Sequence, residues 1–138
     1  MDACLFCKIV RGEIKPEIIY QDDHAIAFLD VNPLALGHTL VIPKLHAPQL
    51  TDLTDSAVGP LFLTVKKITA ILANTLHSDG FTIGMNQGEA GHAGVDHLHI
   101  HLIPRFTGDK GGSLHTIVNN KPKKSTKEIA ELIRATIQ

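Results

Sequence analysis

Three histidines alternate with aliphatic residues in the segment His97-Leu98-His99-Ile100-His101. Such strict alternation is typical of a half-buried β-strand, because side chains two residues apart share one face of a strand. The three imidazoles would then stand in a row at intervals of roughly 7 Å, with the aliphatic side chains pointing into a core. Imidazole can hold or pass a proton near neutral pH, attack as a nucleophile or bind a metal. By itself the row therefore allows a solvent-facing edge strand, a metal site or a nucleophilic catalytic site.

The composition and charge of the chain are those of an ordinary globular protein. Its 138 residues predict one domain spanning residues 1–138, and 43% hydrophobic with 20% charged residues is usual for a soluble protein. A net charge of −1 gives no basic surplus for duplex nucleic acid. No uninterrupted apolar run approaches the roughly 18 residues of a membrane span, and the chain does not begin like a signal peptide. We therefore expect a cytoplasmic protein without a membrane partner.

The predicted strands indicate an α+β fold with a mainly antiparallel, five-stranded sheet. Strands are expected over residues 18–20, 25–29, 38–42 and 81–85, and the histidine row is the last strand. The first three are joined by connections too brief for crossover helices, which predicts a meander of antiparallel strands.

Three helices complete the predicted fold. A short helical turn is expected over residues 5–10, and apolar residues spaced three and four apart predict a long central helix from about Ser56 to Leu76, capped by Thr54 or Ser56. The sequence from Ser125 to Glu128 is a capping box for a C-terminal helix. The central helix is apolar on more than one side, so either a second copy, the C-terminal helix or segment 114–117 should cover its outer face. Its apolar residues are Val58, Leu61, Phe62, Leu63, Val65, Ile68, Ile71, Leu72 and Leu76.

The chain resembles the histidine triad (HIT) family, whose motif alternates three histidines with hydrophobic residues. The similar segments follow one another through nearly the whole chain: residues 4–9, 12–14, 27–30, Pro33, 37–44, His46, Asn86, Gly88, the histidine row and residues 104–105. The resemblance implies the HIT-like fold and a nucleotide hydrolase or nucleotidyltransferase that passes through a nucleotidyl-histidine intermediate. It also implies a homodimer with a sheet continuous across the interface.

Two departures from the family pattern leave the substrate open. Many members carry Ala-Gly-Gln where this chain has Gly91-His92-Ala93, so the glutamine amide at the phosphate or leaving group is missing. Asp96 precedes the row, where many members have an apolar or aromatic residue, and this also resembles the diadenosine tetraphosphate phosphorylase branch. Adenosine phosphoramidates and dinucleoside polyphosphates are both candidate substrates.

The resemblance assigns the catalytic roles to four histidines. It implies that His99 attacks the α-phosphate, with its second ring nitrogen held by the backbone carbonyl of His97. His101 would bind phosphate or support proton transfer, and His38 would face the row from the neighbouring strand.

The same resemblance implies a site for an AMP-like purine nucleotide. Asp30 would bind the ribose hydroxyls, Asn86 would donate to the α-phosphate, and the glycine-rich loop with His92, Ala93 and Gly94 would approach the phosphate closely. His99 and His101 complete the phosphate site. The base would lie between Leu5, Phe6, Ile9, Phe28, Leu29 and Val31.

A structural zinc is the second expected feature. Cys4 and Cys7 offer two thiolates, and tetrahedral zinc needs four ligands. Family members with this N-terminal segment take the other two from the positions of His46 and His97. Two buried or redox-active cysteines are the simpler alternative. A non-catalytic nucleotide sensor and a metalloenzyme with the three histidines around one ion are the rival functions.

Overall fold

A computed structural model describes residues 3–137, whose strands form one five-stranded antiparallel sheet. The spatial order of the strands is β1-β2-β3-β5-β4, so the last strand lies between the third and fourth. The predicted α+β class, the antiparallel sheet and the opening meander are confirmed. The strands are β1 (Ile18–Gln21), β2 (Ala25–Leu29), β3 (Thr39–Pro43), β4 (Gly80–Gly84) and β5 (Ile100–Arg105).

The histidine row differs from its prediction at one end. The strand β5 begins at Ile100, so only His101 of the three histidines lies within it. The residues before it run alongside another segment, where the Leu98 N–H donates to the Ala47 carbonyl at 2.7 Å. The alternation nevertheless survives, because Leu98, Ile100 and Leu102 all lie in one buried cluster.

Helices cover both faces of the sheet. The long helix α2 (Asp55–Leu76) packs on one face through Leu61, Val65, Ile68 and Leu72. The short helix α1 (Leu5–Val10) packs on the opposite face, where Phe6 and Ile9 meet the alternate side chains of β2 and β3. Strands β2 and β3 are therefore buried on both sides. The α1 face is the one that also carries the histidines, as the contact of the Phe6 and His99 rings shows.

The helix α2 is long and apolar enough, by length and composition alone, to cross a membrane. The helix contains no long uninterrupted apolar run, because Lys66 and Lys67 divide the segment. The core helix of a globular protein passes the same test, and here one side of α2 packs on the sheet. Its outer face stays exposed within the described chain, with Phe62 39%, Leu63 67% and Ile71 45% accessible.

The C-terminal segment does not cover that outer face. The helix α3 (Thr126–Thr136) begins at the predicted capping box, but none of its residues is buried. Leu132 and Ile133 are 58% and 53% exposed. Short 3₁₀ turns lie at Leu50–Asp52 and at Leu114–Thr116.

Candidate active site and metal centre

His99 is held in a single orientation by the backbone beside it. Its Nδ1–H donates to the carbonyl of His97 at 2.7 Å, and only 6% of the residue is exposed. Its ring meets the edge of Phe6 at 5.1 Å and lies 5.2 Å from the ring of His101, measured between centroids. Because Nδ1 keeps its hydrogen, Nε2 of the neutral ring carries the free lone pair. His99 is thus oriented with one unprotonated ring nitrogen, and its role as the nucleophile remains a prediction.

The two ring nitrogens of His97 face other partners. Its Nε2–H donates to the Pro43 carbonyl at 2.8 Å, which leaves Nδ1 unprotonated and facing two sulfur atoms. Nδ1 lies 3.5 Å from Sγ of both Cys4 and Cys7, and Nδ1 of His46 lies 3.2 Å from Sγ of Cys7. We call Cys4, Cys7, His46 and His97 the thiol cluster; their four ligand atoms lie within 4.8 Å of one another.

The dimensions of the thiol cluster fit tetrahedral zinc. Bonds of about 2.3 Å to sulfur and 2.0 Å to nitrogen at the tetrahedral angle place a sulfur and a nitrogen ligand roughly 3.5 Å apart. The nitrogen–sulfur distances of 3.2 to 3.5 Å agree with that value. The hydrogen bond from His97 to Pro43 is the outer contact that orients a histidine ligand. The set supplies all four ligands, so it suits a closed, structural ion.

Burial controls protonation in the thiol cluster. Burial raises the pKa of the Cys7 thiol above its ordinary value, and the neighbouring Cys4 adds to this. Burial also lowers the pKa of His97, while its bond to Pro43 opposes the shift. Both shifts favour uncharged side chains when no cation is present. A metal ion reverses the preference at the thiols, because it stabilises thiolates directly.

A second group of side chains lies at the other end of the row. The backbone N–H of Leu34 donates to Nδ1 of His38 at 3.0 Å, so the hydrogen of the neutral His38 ring is on Nε2. That Nε2–H points at Nδ1 of His101, 3.0 Å away, with Asp30 Oδ2 at 3.5 Å. His101 is therefore assigned a hydrogen on Nε2. We call His38 and His101 the imidazole pair.

The imidazole pair is kept uncharged at neutral pH. Burial is the main cause that lowers the pKa of His101 to about 4, with the nearby rings of His99 and His38 contributing and Asp30 opposing the shift. Burial lowers the pKa of His38 as well, again against the pull of Asp30. Both groups thus act as neutral hydrogen-bonding imidazoles until an anion comes close.

A cavity of about 470 Å³ opens between α1, β2 and the histidines. Of the predicted nucleotide-binding residues, Leu5, Phe6, Ile9, Phe28, Asp30, Val31, His99 and His101 line it. Asp30 stands at its rim, with Oδ1 accepting from the Asn32 N–H at 2.9 Å. Its walls are mostly apolar, and we call this cavity the nucleoside pocket after the ligand that the resemblance implies.

Several predicted residues lie elsewhere. Leu29 points into a neighbouring depression beside Pro33 and His38, and Asn86 is exposed and does not line the nucleoside pocket. His92, Ala93 and Gly94 line a separate cavity of about 520 Å³ with Asp96. His92 has a positive φ of 57°, a turn conformation that directs its exposed ring outward. Their roles at the phosphate remain predictions.

The sequence reasoning missed further residues of the nucleoside pocket. Leu40 had a signal, since a strand over residues 38–42 puts it on the same face as His38, and it pairs with His101 in the sheet. The others belong to connections, whose path no periodicity predicts. The missed lining residues are Ile14, Lys15, Pro16, Asn32, Leu40 and Val95.

Comparison with known proteins places the chain among relatives of one kind. Residues 11–108 match the family described as HIT domain. An adenosine 5′-monophosphoramidase of Candida albicans is 37% identical over 107 residues, covering 75% of this chain and 70% of that protein. A HIT family protein from Bacillus anthracis superposes with a TM-score of 0.86 at 35% identity, over 99% of both chains. A zinc-bound histidine triad family protein from Mycobacterium smegmatis has a TM-score of 0.74 at 35% identity, over 97% of this chain and 92% of that one.

Proposed function

The chain belongs to the HIT domain family, whose relatives include nucleotide hydrolases, and from this premise we propose that it transfers the nucleotidyl group of adenosine phosphoramidates to water through His99. The related adenosine 5′-monophosphoramidase supports this substrate class. Dinucleoside polyphosphates share the same reacting α-phosphate and are the second substrate class to test.

One observation carries the proposal. The His97 carbonyl holds the Nδ1–H of His99 at 2.7 Å, so the free Nε2 belongs to a ring that lines the nucleoside pocket. A nucleotide sensor has no need of a histidine oriented in this way. The three histidines also have three different partners, because His97 faces the thiols, His99 faces a carbonyl and His101 faces His38. This arrangement disfavours a single catalytic ion held by all three.

The reaction follows from these positions. Nε2 of His99 attacks the α-phosphorus, the bond from phosphorus to the leaving nitrogen breaks, and the departing amine takes up a proton. The Nδ1 of His101 already accepts from His38, so its Nε2–H is placed to donate a hydrogen bond to a phosphate oxygen, and the amine takes its proton from solvent. Water then attacks the phosphorus, releases a proton to solvent and frees Nε2 of His99. The net change converts one phosphoramidate and one water into AMP and an amine.

The nucleoside pocket suits a purine nucleoside at the other end of the substrate. Phe6, Ile9 and Phe28 form apolar walls for a flat base. Asp30 lies at the same pocket, and its two oxygens match a pair of ribose hydroxyls. The walls offer few hydrogen-bonding groups to the base edge, so we expect adenosine and guanosine substrates to react at similar rates.

We further propose a structural zinc in the thiol cluster. The ion would tie the start of α1 to the segment before β5, and the four ligands leave it no open position for substrate. The zinc-bound relative and the nitrogen–sulfur distances support this assignment. Its part in the reaction is positional, since His97 carries both a cluster ligand and the carbonyl that orients His99.

A homodimer is the proposed assembly. The exposed outer face of α2 carries Phe62, Leu63 and Ile71, and the edge strand β4 exposes Ile83. A two-fold partner would cover both the helix face and the edge strand. Sedimentation equilibrium at micromolar concentration tests this, because a fully active species of 15.0 kDa would contradict the dimer.

The proposed function is tested with a panel of substrates. Purified protein is incubated with adenosine 5′-monophosphoramidate, an aminoacyl-adenylate and diadenosine tri- and tetraphosphate, and the products are identified. We expect AMP release that requires His99. ADP formed from diadenosine tetraphosphate only in the presence of inorganic phosphate would indicate a phosphorylase instead, and binding without any turnover would indicate a sensor.

A further inference from the structure

The two cysteines of the thiol cluster differ in how far they are open to solvent. Cys7 is buried, with 7% of the residue exposed, whereas Cys4 is partly exposed. Cys4 also lines a cavity of about 470 Å³ that Cys7 does not line. We call it the cysteine cavity; its other lining residues are Ala3, Leu5, His46, Gly94, Val95 and Asp96. A small molecule in this cavity would therefore meet Cys4 before Cys7.

The two cysteines are close enough to form a disulfide. Cys4 is the N-cap of α1, and its Sγ accepts the backbone N–H of Cys7 at 3.3 Å. All four ligand atoms of the thiol cluster lie within 4.8 Å of one another, so the two sulfur atoms are no farther apart than that. Since a disulfide bond is about 2.0 Å long, the sulfur atoms need to approach by at most about 2.8 Å. A change of side-chain rotamer moves a cysteine sulfur by a distance of this order.

Asp96 gives the cysteine cavity a negative charge. Its side chain is exposed, and no lysine or arginine is among the described residues that line the cavity. Hydrogen peroxide is small and neutral, whereas glutathione disulfide is large and carries a net negative charge at neutral pH. Because like charges repel, the cavity favours the neutral oxidant. Asp96 is also a departure from the family pattern, so this charge distinguishes the chain from many relatives.

We propose that Cys4 is a site of oxidation by small neutral hydroperoxides, and that a disulfide with Cys7 follows and releases the zinc. The inference rests on the zinc part of the proposed function and is independent of nucleotidyl transfer. The Cys4 thiolate attacks one oxygen of hydrogen peroxide, the O–O bond breaks, and a sulfenic acid forms as hydroxide leaves. The Cys7 thiolate then attacks the Cys4 sulfur, expels a second hydroxide and closes the disulfide. The two thiolates together lose two electrons, and the peroxide gains them.

Disulfide formation removes the charge that holds the ion. Thiolates bind zinc, whereas the sulfur atoms of a disulfide carry no charge for it. Only the neutral imidazoles of His46 and His97 would remain, which are too few ligands for a closed tetrahedral site. Nδ1 of His97 would lose its metal, while the bond from its Nε2–H to Pro43 would be unaffected. The zinc content of the thiol cluster would therefore report exposure to peroxide.

The first experiment follows the thiols and the metal of wild-type protein in the absence of substrate. Zinc-loaded protein is treated with hydrogen peroxide, a metallochromic dye measures released zinc, and mass spectrometry examines the N-terminal peptide. We expect one zinc released for each disulfide between Cys4 and Cys7, and recovery of zinc binding after a dithiol and fresh zinc are added. Zinc retained in the disulfide form, or oxidation without a disulfide, would overturn the inference.

The order of oxidation is tested by trapping the first product. Brief exposure of wild type to peroxide in the presence of dimedone, which captures sulfenic acids, should label Cys4 and leave Cys7 unlabelled. The same reagent should label Cys7→Ser at Cys4, because the thiol that would close the disulfide is missing. Labelling of Cys7 in Cys4→Ser as fast as of Cys4 in wild type would refute the assignment to Cys4.

The charge of the cysteine cavity is tested with a matched pair of variants. Asp96→Asn removes the charge, and Asp23→Asn is the control, because Asp23 is exposed and does not line the cavity. We expect Asp96→Asn to release zinc about five-fold faster than wild type with glutathione disulfide at low ionic strength, and at a rate within about two-fold of wild type with peroxide. Asp23→Asn should change neither rate. Equal rates with glutathione disulfide in Asp96→Asn and wild type would contradict selection by charge.

Failure of the proposed function is distinguishable from failure of this inference. If the purified protein binds no zinc, the zinc assignment fails, and the same peroxide treatment still shows whether Cys4 and Cys7 form a disulfide. Absence of both zinc and disulfide would overturn the oxidation site. No measurement here depends on phosphoramidate turnover, so an inactive protein would leave the result unchanged.

Discussion

His97 and His101 occupy the same face of one extended segment, four residues apart, and their surroundings differ in almost every respect. His97 is fully buried and directs Nδ1 at two thiols, with its other nitrogen held by the Pro43 carbonyl. His101 directs Nδ1 at another imidazole and keeps a nitrogen toward the nucleoside pocket. Between them His99 is held by the backbone alone. The comparison teaches that the partner on Nδ1 decides what each histidine of the row can do.

Substitution of His99, which lies between His97 and His101, is the sharpest test of these separate roles. We expect His99→Asn to lower kcat by about 1000-fold or more, equivalent to roughly 4 kcal/mol of transition-state stabilisation, because the row has no second nucleophile in the same position. AMP binding by calorimetry should persist. His24→Asn is the control, since His24 is exposed and does not line the nucleoside pocket. Turnover of His99→Asn within a few-fold of wild type would remove His99 as the nucleophile.

Substitution in the thiol cluster should lower stability more than activity. Cys7→Ser is expected to lose bound zinc and to lower the free energy of unfolding by about 3 kcal/mol, because a buried metal ligand is removed. Activity should fall less than in His99→Asn. Elemental analysis and urea unfolding measure the two effects, with chelator-treated wild type as the reference. Zinc content equal to that of wild type would show that the ion, if any, is held elsewhere.

Acid should act most directly at the imidazole pair. The folded-state pKa of His101 is about 4, below its ordinary value of 6.5, so the unfolded chain binds more protons between these two values. Stability is therefore lost as pH falls through that window, by about 2 kcal/mol at pH 5. Urea unfolding of wild type and His101→Gln at pH 7 and pH 5 isolates this contribution. Equal pH dependence in both proteins would contradict the burial of a neutral His101.

The smallest expected effect concerns His38, which acts on the reaction through His101. We expect His38→Gln to lower kcat about ten-fold and to move the acidic limb of the pH–rate profile, because the hydrogen bond that fixes the His101 hydrogen is altered. KM should change little. A ten-fold loss with an unmoved pH profile would instead indicate a structural role for this 2% exposed side chain.

The sequence predicted the elements well where a local pattern decides them. The meander follows from short connections and apolar strands, and the capping box at Ser125 sets the start of α3. The start of β5 could not be predicted, because the residues before it pair with a distant segment, where Leu98 is bound to Ala47. The sequence could not decide whether α3 covers the outer face of α2. The spacing of its apolar residues predicts an apolar face on α3 but does not say which surface that face contacts.

The candidate site, like the fold, was predictable where a local pattern or the resemblance decides it. The row itself indicates three imidazoles on one face, and the four members of the thiol cluster came together as the resemblance implied. The 3.0 Å contact of His38 with His101 depends on the register that pairs Leu40 with His101, which no local pattern encodes. Lys15 and Pro16 line the nucleoside pocket from a connection, and their placement follows from the packing of α1.

The short helix α1 and its N-cap contribute residues to both the thiol cluster and the nucleoside pocket. Its N-cap, Cys4, and its buried Cys7 are members of the thiol cluster, while Phe6 and Ile9 on the same helix wall the nucleoside pocket. An ion in the thiol cluster and a nucleotide in the pocket would both hold this helix, and any factor by which one tightens the binding of the other applies in both directions. A protein saturated with nucleotide would accordingly release its metal to a chelator more slowly. The availability of metal and the availability of substrate would be sensed by one short helix.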